Sequence, residues 1–291
     1  MTGARAGHLA MLLFSMLVAG SFALGALAAN AISPLALNAV RFWIAVLVIG
    51  LAVVATGGAR RAALDAPWRY IVLAGFFTTY FVLMFEGLKT APPVSAAAVF
   101  TLTPILSAGF GYLLLRQVLT ARMAAALGIG AIGALWVIFR ADFAALMRFE
   151  IGQGELIYFW GCVAHAIYTP LVRLLNRGEP ALVFTFGTLL AGAIMLSLWG
   201  WTDLRDTPWT GLPAIVWVTI GYTAIFASAA TFTLLQFATL RLPSSKVMAY
   251  TYLTPSWVIV WEIGLGGMPP PALVLIGLGL TVVALIMLLR A

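Results

Sequence analysis

The sequence predicts an all-α polytopic membrane protein: ten transmembrane helices, arranged as two inverted five-helix repeats around a central cavity. Three observations carry this expectation. Of 291 residues, 63% are hydrophobic and only 9% are charged, with a mean hydropathy of +1.08, whereas a soluble domain carries about 25% charged residues. Ten apolar runs are long enough to cross a hydrocarbon core, which takes about 20 residues. The second half of the chain also echoes the first. Sliding Pro92 onto Pro243 sets Leu102-Thr103-Pro104 on Leu253-Thr254-Pro255 and Gly128 on Gly279 without a gap.

The runs lie at 8–29, 34–56, 68–88, 93–115, 121–139, 154–175, 181–201, 212–239, 244–265 and 270–290. Pro34, Pro180, Pro243 and Pro270 stand near helix starts, where a missing N–H costs little. Ala91-Pro92-Pro93 and Gly57-Gly58 mark turns. Nothing alternates like a barrel strand, and an open sheet has no place in lipid, so the spans are helices. Arg5, the apolar run after it and Ala26-Leu27-Ala28 also resemble a cleavable signal sequence. The run is long for that role, and a similar segment opens the second half at 154–175, so it is read as a span.

Basic residues set the orientation, because Lys and Arg favour cytoplasmic loops. With the N-terminus inside, Arg5, Arg60, Arg61, Arg69, Arg116, Arg122, Arg173, Arg177, Arg241, Lys246 and Arg290 are cytoplasmic. Only Lys89, Arg140, Arg148 and Arg205 lie outside, and Arg41 lies within a span. Glu86, Asp142, Glu150, Glu155, Asp203, Asp206 and Glu262 fall on the outer side. Both termini are therefore expected in the cytoplasm of a cell whose inner membrane holds the chain. The net charge of +7 reflects this bias and calls for no nucleic acid. Cys162 is the single cysteine, which excludes an intramolecular disulfide.

Five spans per half is an odd number, so the second half enters the membrane from the opposite side, as in an inverted repeat. The boundaries are 1–139 for the first repeat, 140–153 for an outer linker and 154–291 for the second repeat. Within the linker, Asp142–Arg148 reads as a short helix on the outer interface.

This pattern resembles the EamA branch of the drug/metabolite transporter superfamily. The resemblance spans essentially the whole chain. It rests on the two five-helix repeats, the Pro-bearing fourth and ninth segments, and Pro34 followed by Arg41-Phe42 early in the second span. Within the branch the chain resembles the YddG-like amino-acid exporters. The resemblance implies that helices 1–4 and 6–9 surround the cavity while 5 and 10 stand at the periphery. Gly128, Gly130, Gly133, Gly277 and Gly279 agree with the latter, since small residues suit close helix packing.

Paired interrupted helices point to a transporter's binding site. Pro104 and Pro255 each remove a backbone hydrogen bond, so Ala98–Pro104, including Phe100 and Thr101, and Ala249–Pro255, including Tyr250 and Thr254, are expected to line the path and to meet near the midplane. Tyr80, Trp160 and Tyr222 lie near mid-span and need a partner for their polar atoms. A stripe at helical spacing is equally the signature of plain packing. The sixth span shows Tyr158, Cys162, His165 and Thr169 on one face. His165 is the only histidine inside a span, suited to binding substrate or relaying a proton, or to bridging helices as a neutral ring. The substrate-binding candidates are thus Tyr80, Phe100, Thr101, Trp160, His165, Tyr222, Tyr250 and Thr254. Arg41 is expected to pair with Glu86 near the outer face, with outer gating as the sharper alternative.

The first span holds no carboxylate, and no Lys occupies the middle of any span, which disfavours proton-for-drug exchange and phosphate recognition. No residue cluster has metal-ligand spacing, no phosphate loop is present, and no nucleophile sits beside a base. The expectation is a non-enzymatic, cofactor-free, monomeric exporter whose partners are the lipid bilayer and a small amphipathic substrate, most favourably an amino acid, aromatic ones included. It would work by alternating access and facilitated diffusion. A proton-coupled multidrug or cation exporter is the alternative within transport, and an intramembrane lipid-modifying enzyme the alternative outside it.

Overall fold

The computed structural model describes residues 3–57, 65–148 and 151–290. Gly58, Arg60, Arg61 and Glu150, used above for turns and orientation, lie outside the described residues. Among those described there is no strand. The helices are α1 Gly3–Ala28, α2 Pro34–Ala55, α3 Trp68–Gly87, α4 Pro93–Phe100, α5 Thr103–Leu115, α6 Ala121–Ile138, α7 Phe143–Arg148, α8 Gln153–Leu175, α9 Ala181–Trp199 and α10 Trp201–Asp206. They continue with α11 Ala214–Ala224, α12 Thr231–Thr239, α13 Ser244–Ala249, α14 Thr254–Gly264 and α15 Ala272–Arg290.

Eight helical runs among the described residues are long and apolar enough to cross a membrane: α1, α2, α3, α4–α5, α6, α9, α11–α12 and α15. Two of the ten expected spans are not in this set, for different reasons. α8 carries Gln153, Glu155, His165 and Arg173, which lower its hydropathy, yet it packs along α3 and α5 like its neighbours. The ninth segment is too fragmented, because Tyr250–Leu253 tightens into a 3₁₀ turn between α13 and α14.

Local chemistry explains the ends. Ser33 caps α2 through Oγ, with Pro34 in its first turn, and Thr120 caps α6 by accepting from the Met123 N–H. Arg140 and Ala141 adopt left-handed φ values of 55° and 58°, which turn the chain sharply from α6 into α7. α7 is the short linker helix expected from the sequence. Asp142 Oδ1 accepts from the N–H groups of Ala144 and Ala145 at its start.

The two halves interlock. α2 lies on α9, α6 on α15, α3 on α8, and α1 on the α11–α12 run. Where the broken spans meet, α4 packs on α14 while α5 packs on α13. The beginning of each thus faces the end of the other, so the two run antiparallel. α6 and α15 touch through the expected small residues. A Cβ added to Gly133 would stand 2.6 Å from the Gly277 carbonyl oxygen, and one on Gly277 would stand 2.7 Å from that of Gly133. Gly128 and Gly279 face open space instead.

On the face that carries the N-terminus, Arg69 donates to Glu179 at 2.6 Å and to the Leu175 carbonyl at 2.7 Å. This ties the start of α3 to the loop after α8. Burial pushes the Glu179 carboxyl up, but the Arg69 guanidinium and the backbone N–H groups of Arg177 and Glu179 outweigh it and hold the carboxyl below its ordinary value.

Candidate functional site

Both proline breaks fall at the same level of the bundle. Pro104 cannot donate to the Phe100 carbonyl four residues back. That carbonyl accepts from Thr103 Oγ1 at 2.7 Å, and Thr101 Oγ1 donates to the Ala98 carbonyl at 2.6 Å. In the ninth segment, the Thr251 carbonyl that Pro255 leaves free accepts from the Thr254 N–H. The Tyr252 carbonyl accepts from Thr281 Oγ1 on α15. The carbonyls at the breaks therefore each have a hydrogen-bond partner within the protein in this conformation. The two stretches do meet: Thr103 Oγ1 and Thr251 Oγ1 are 3.2 Å apart, in direct contact with nothing between them.

Beside this crossing the centre is filled by rings from both repeats. Phe77, Tyr80 and Phe81 come from α3, Phe100 from α4, Tyr158, His165 and Tyr168 from α8, and Phe232 from α12. Centroids lie 3.8 Å apart for Phe77–Phe232, 4.5 Å for Tyr80–His165, 4.5 Å for Phe77–Tyr168 and 5.4 Å for Phe100–His165. The polar edges of the cluster are wired to each other. Tyr158 donates to Tyr80 at 3.2 Å, and Gln236 Nε2 donates to Tyr168 while Gln236 Oε1 accepts from Thr185. His165 Nδ1, Thr254 Oγ1 and Ser21 Oγ are buried with no hydrogen-bond partner among the described residues. Groups in that state cost stability unless something else meets them.

The structure brings together only part of the expected set. Tyr80, Phe100 and His165 are mutual neighbours, and Thr101 and Thr254 are buried at the breaks beside them. Tyr222 lies apart, donating to the Leu17 carbonyl of α1 at 2.8 Å and packing on Trp261. Tyr250 sits beside His8 near the start of α1, at 3.1 Å. Trp160 is not brought to the cluster. It is 59% exposed on the outer surface of α8, because Tyr158, Cys162, His165 and Thr169 form the buried face.

The expected Arg41–Glu86 pair does not form. Arg41 projects from the inner face of α2, fully buried, whereas Glu86 turns toward the loop and pairs with Lys89 at 2.8 Å. Arg41 instead reaches Ile225–Ala230, where the eighth segment widens into a π turn, and the guanidinium carbon stands 3.8 Å from the centre of the Phe81 ring.

Sequence reasoning missed Phe77, Phe81 and Phe232. Phe77, Tyr80, Phe81 and Met84 recur at i, i+3, i+4 and i+7, and all are buried, so the spacing of this face of α3 was a readable signal. The π turn carries no comparable signal, since Ile-Phe-Ala-Ser-Ala-Ala suits an ordinary helix.

Comparison with known proteins agrees with this architecture. A Bacillus subtilis (strain 168) protein described as "Uncharacterized transporter YyaM" is 26% identical over 262 residues, covering 89% of this chain and 86% of that protein. A crystal structure of another protein superimposes with a TM-score of 0.75 at 23% identity, over 99% of this chain and 97% of that one, which speaks for the shared fold. The profile of the EamA-like transporter family matches twice, at residues 5–139 and 152–290. A membrane protein in which each half matches that profile separately belongs to the EamA-like transporter family.

Proposed function

We propose that this transporter exports small amphipathic metabolites, amino acids and especially aromatic ones first among them, by alternating access and facilitated diffusion. It would do so as a monomer of ten spans in the inner membrane, with both termini cytoplasmic. Residues 1–139 and 154–291 would rock against each other about the junction, joined by the outer linker 140–153. Substrate chemistry would be confined to binding, with no bond made or broken.

The observation that supports this reading most is the ring cluster of Tyr80, Phe100, His165 and Phe232. Both halves contribute to it, it is built of aromatic rings, and it holds a buried imidazole nitrogen with no partner among the described residues. Such a surface suits a ligand with an aromatic or bulky apolar part. Tyr80, Phe100, Thr101, His165 and Thr254 would line the opened path. Tyr222 and Tyr250 would flank it on the α1 side, and Trp160 would have no part in it.

The rival, a proton-coupled cation exporter, draws on Glu155. This carboxylate is buried and accepts from Ser95 Oγ at 2.7 Å, and it lines a cleft with Arg140 and Asp142 at the start of α8. Purified protein in liposomes, supplied with a labelled amino-acid panel with and without a pH gradient, separates the two. Uptake without a gradient is the expected result. Uptake only with a gradient would favour the rival, and no uptake of any amino acid would remove the main reading.

A further inference from the structure

Arg41 carries a full charge into the interior of the bundle, and nothing among the described residues neutralises it. Its four hydrogen bonds all end on neutral oxygens. Nε and Nη2 both donate to Ser228 Oγ, at 3.1 and 2.8 Å. Nη2 also donates to the Ala227 carbonyl at 3.2 Å, and Nη1 to Asn38 Oδ1 at 3.2 Å. A charge held within a membrane without an anion is costly, and such groups commonly mark a substrate path.

The geometry of these bonds narrows the ligand. The Nε/Nη2 edge of a guanidinium is a two-pronged fork that matches the two oxygens of a carboxylate. Here both prongs converge on one hydroxyl oxygen, a single neutral atom in the place where two charged ones would fit. The residue that supplies it belongs to the π turn Ile225–Ala230. Turns of this width are rare and concentrate at functional sites. A face of the guanidinium is covered by Phe81, whose ring lies 4.8 Å from Phe77 and 4.7 Å from Tyr80. The fork thus adjoins the ring cluster through Phe81, which leaves apolar surface next to a carboxylate bound at Arg41.

We propose that Arg41 is the anion-recognition point of the transport site and that its ligand is the carboxylate of a substrate with an apolar or aromatic body, which displaces Ser228 Oγ from the Nε/Nη2 edge. Arg41 is contributed by the first repeat and Ser228 by the second, so the exchange couples binding to the contact between the halves. This inference rests on the transport reading above and adds to it the group that is recognised. A zwitterionic amino acid and a free organic acid share that group.

The test is thermal unfolding of the purified full-length chain, together with competition against labelled phenylalanine in liposomes, using phenylalanine, 3-phenylpropionate and phenylalanine amide. Phenylalanine and 3-phenylpropionate should both stabilise and compete if the carboxylate suffices, and phenylalanine alone should do so if the ammonium group is also read. The amide should do neither. Arg41→Lys keeps the charge and loses one prong, and should weaken carboxylate binding about 10-fold; Arg41→Gln should weaken it about 100-fold. Ser228→Ala removes the competing oxygen and should tighten carboxylate binding a few-fold, so the proposal can be judged even where a change at Arg41 prevents folding. It is overturned if the amide matches the acids, if no carboxylate stabilises the wild type, or if Ser228→Ala and a folded Arg41→Lys both leave carboxylate affinity unchanged. Carboxylates that bind while no amino acid crosses would sink the amino-acid reading and spare this one. Amino acids that cross with the amide competing equally would do the reverse.

Discussion

Gly133→Ala at the α6–α15 contact should destabilise the bundle, although the same substitution elsewhere in a helix stabilises it. The added Cβ would stand 2.6 Å from the Gly277 carbonyl oxygen and 2.9 Å from Leu280 Cβ, while ordinary contact begins at 3.4 Å, so the helices must part by about 0.8 Å. The nearest obstacle is backbone, which has no rotamer to move aside. A gap of that size forfeits a quarter to a half of the dispersion energy of each contact it opens, and overpacking of this kind costs about 1–3 kcal/mol. Replacing Gly by Ala in a helix interior returns up to about 1 kcal/mol, leaving a net loss of up to about 2 kcal/mol. Gly128→Ala and Gly279→Ala supply the control, because an added Cβ meets nothing at either position. They should keep the helix-propensity gain and lose nothing. Denaturant unfolding of the three variants in micelles, followed by far-UV circular dichroism, measures the order. A Gly133→Ala protein as stable as Gly128→Ala would refute the reasoning, because it would mean the two helices do not touch as described.

Three further outcomes follow from other parts of the molecule. Glu179→Gln leaves the nearly inaccessible Arg69 without its carboxylate and should cost about 3 kcal/mol near neutral pH, read from the unfolding midpoint. The Glu179 carboxyl titrates below its ordinary value when folded, so the pair stabilises fully above the unfolded value and its contribution is lost as pH falls through the folded one. The wild type should therefore lose its advantage over Glu179→Gln in acid, and an advantage independent of pH would contradict the pair. Tyr80→Ala should lower transport by at least about 10-fold, while Trp160→Ala on the exposed surface of α8 should leave it within about twofold; a reversed order in a liposome flux assay would misplace the site. Glu155→Gln should leave transport equally independent of an imposed pH gradient, and a gradient dependence that Glu155→Gln abolishes would favour proton coupling.

The class of fold was legible because it rests on what the bilayer demands of every residue. Long apolar runs, proline at helix starts and small residues at α6 and α15 express local constraints, and each can be seen without knowing its neighbours. The two proline breaks were legible for the same reason, since a missing N–H acts on its own chain. Side-chain destinations were harder to read. Trp160 and Tyr158 are two residues apart on one helix, and only packing against α3 decides that Tyr158 is inside and Trp160 outside. Arg41 was misassigned because the sequence offers Glu86 as a partner of opposite charge at a plausible depth. Its actual partners are a serine hydroxyl and a carbonyl that a π turn brings within reach, and that turn comes from tertiary context, since its residues favour an ordinary helix equally well. The partners of the carbonyls near the breaks, neighbouring threonines and a backbone N–H, were likewise not readable, because one of them, Thr281, comes from another helix.

The antiparallel crossing at Thr103 and Thr251 has a mechanical consequence. Each broken segment is a jointed rod instead of a stiff one, and the joints coincide. α4 with α14 makes one short arm, and α5 with α13 makes the other; the eight residues of α4 span only about 12 Å. A straight helix turning about its centre must swing both its ends at once. Two arms hinged at a common point can swing separately, and on the alternating-access reading proposed above this would let one end of the bundle part while the other stays closed.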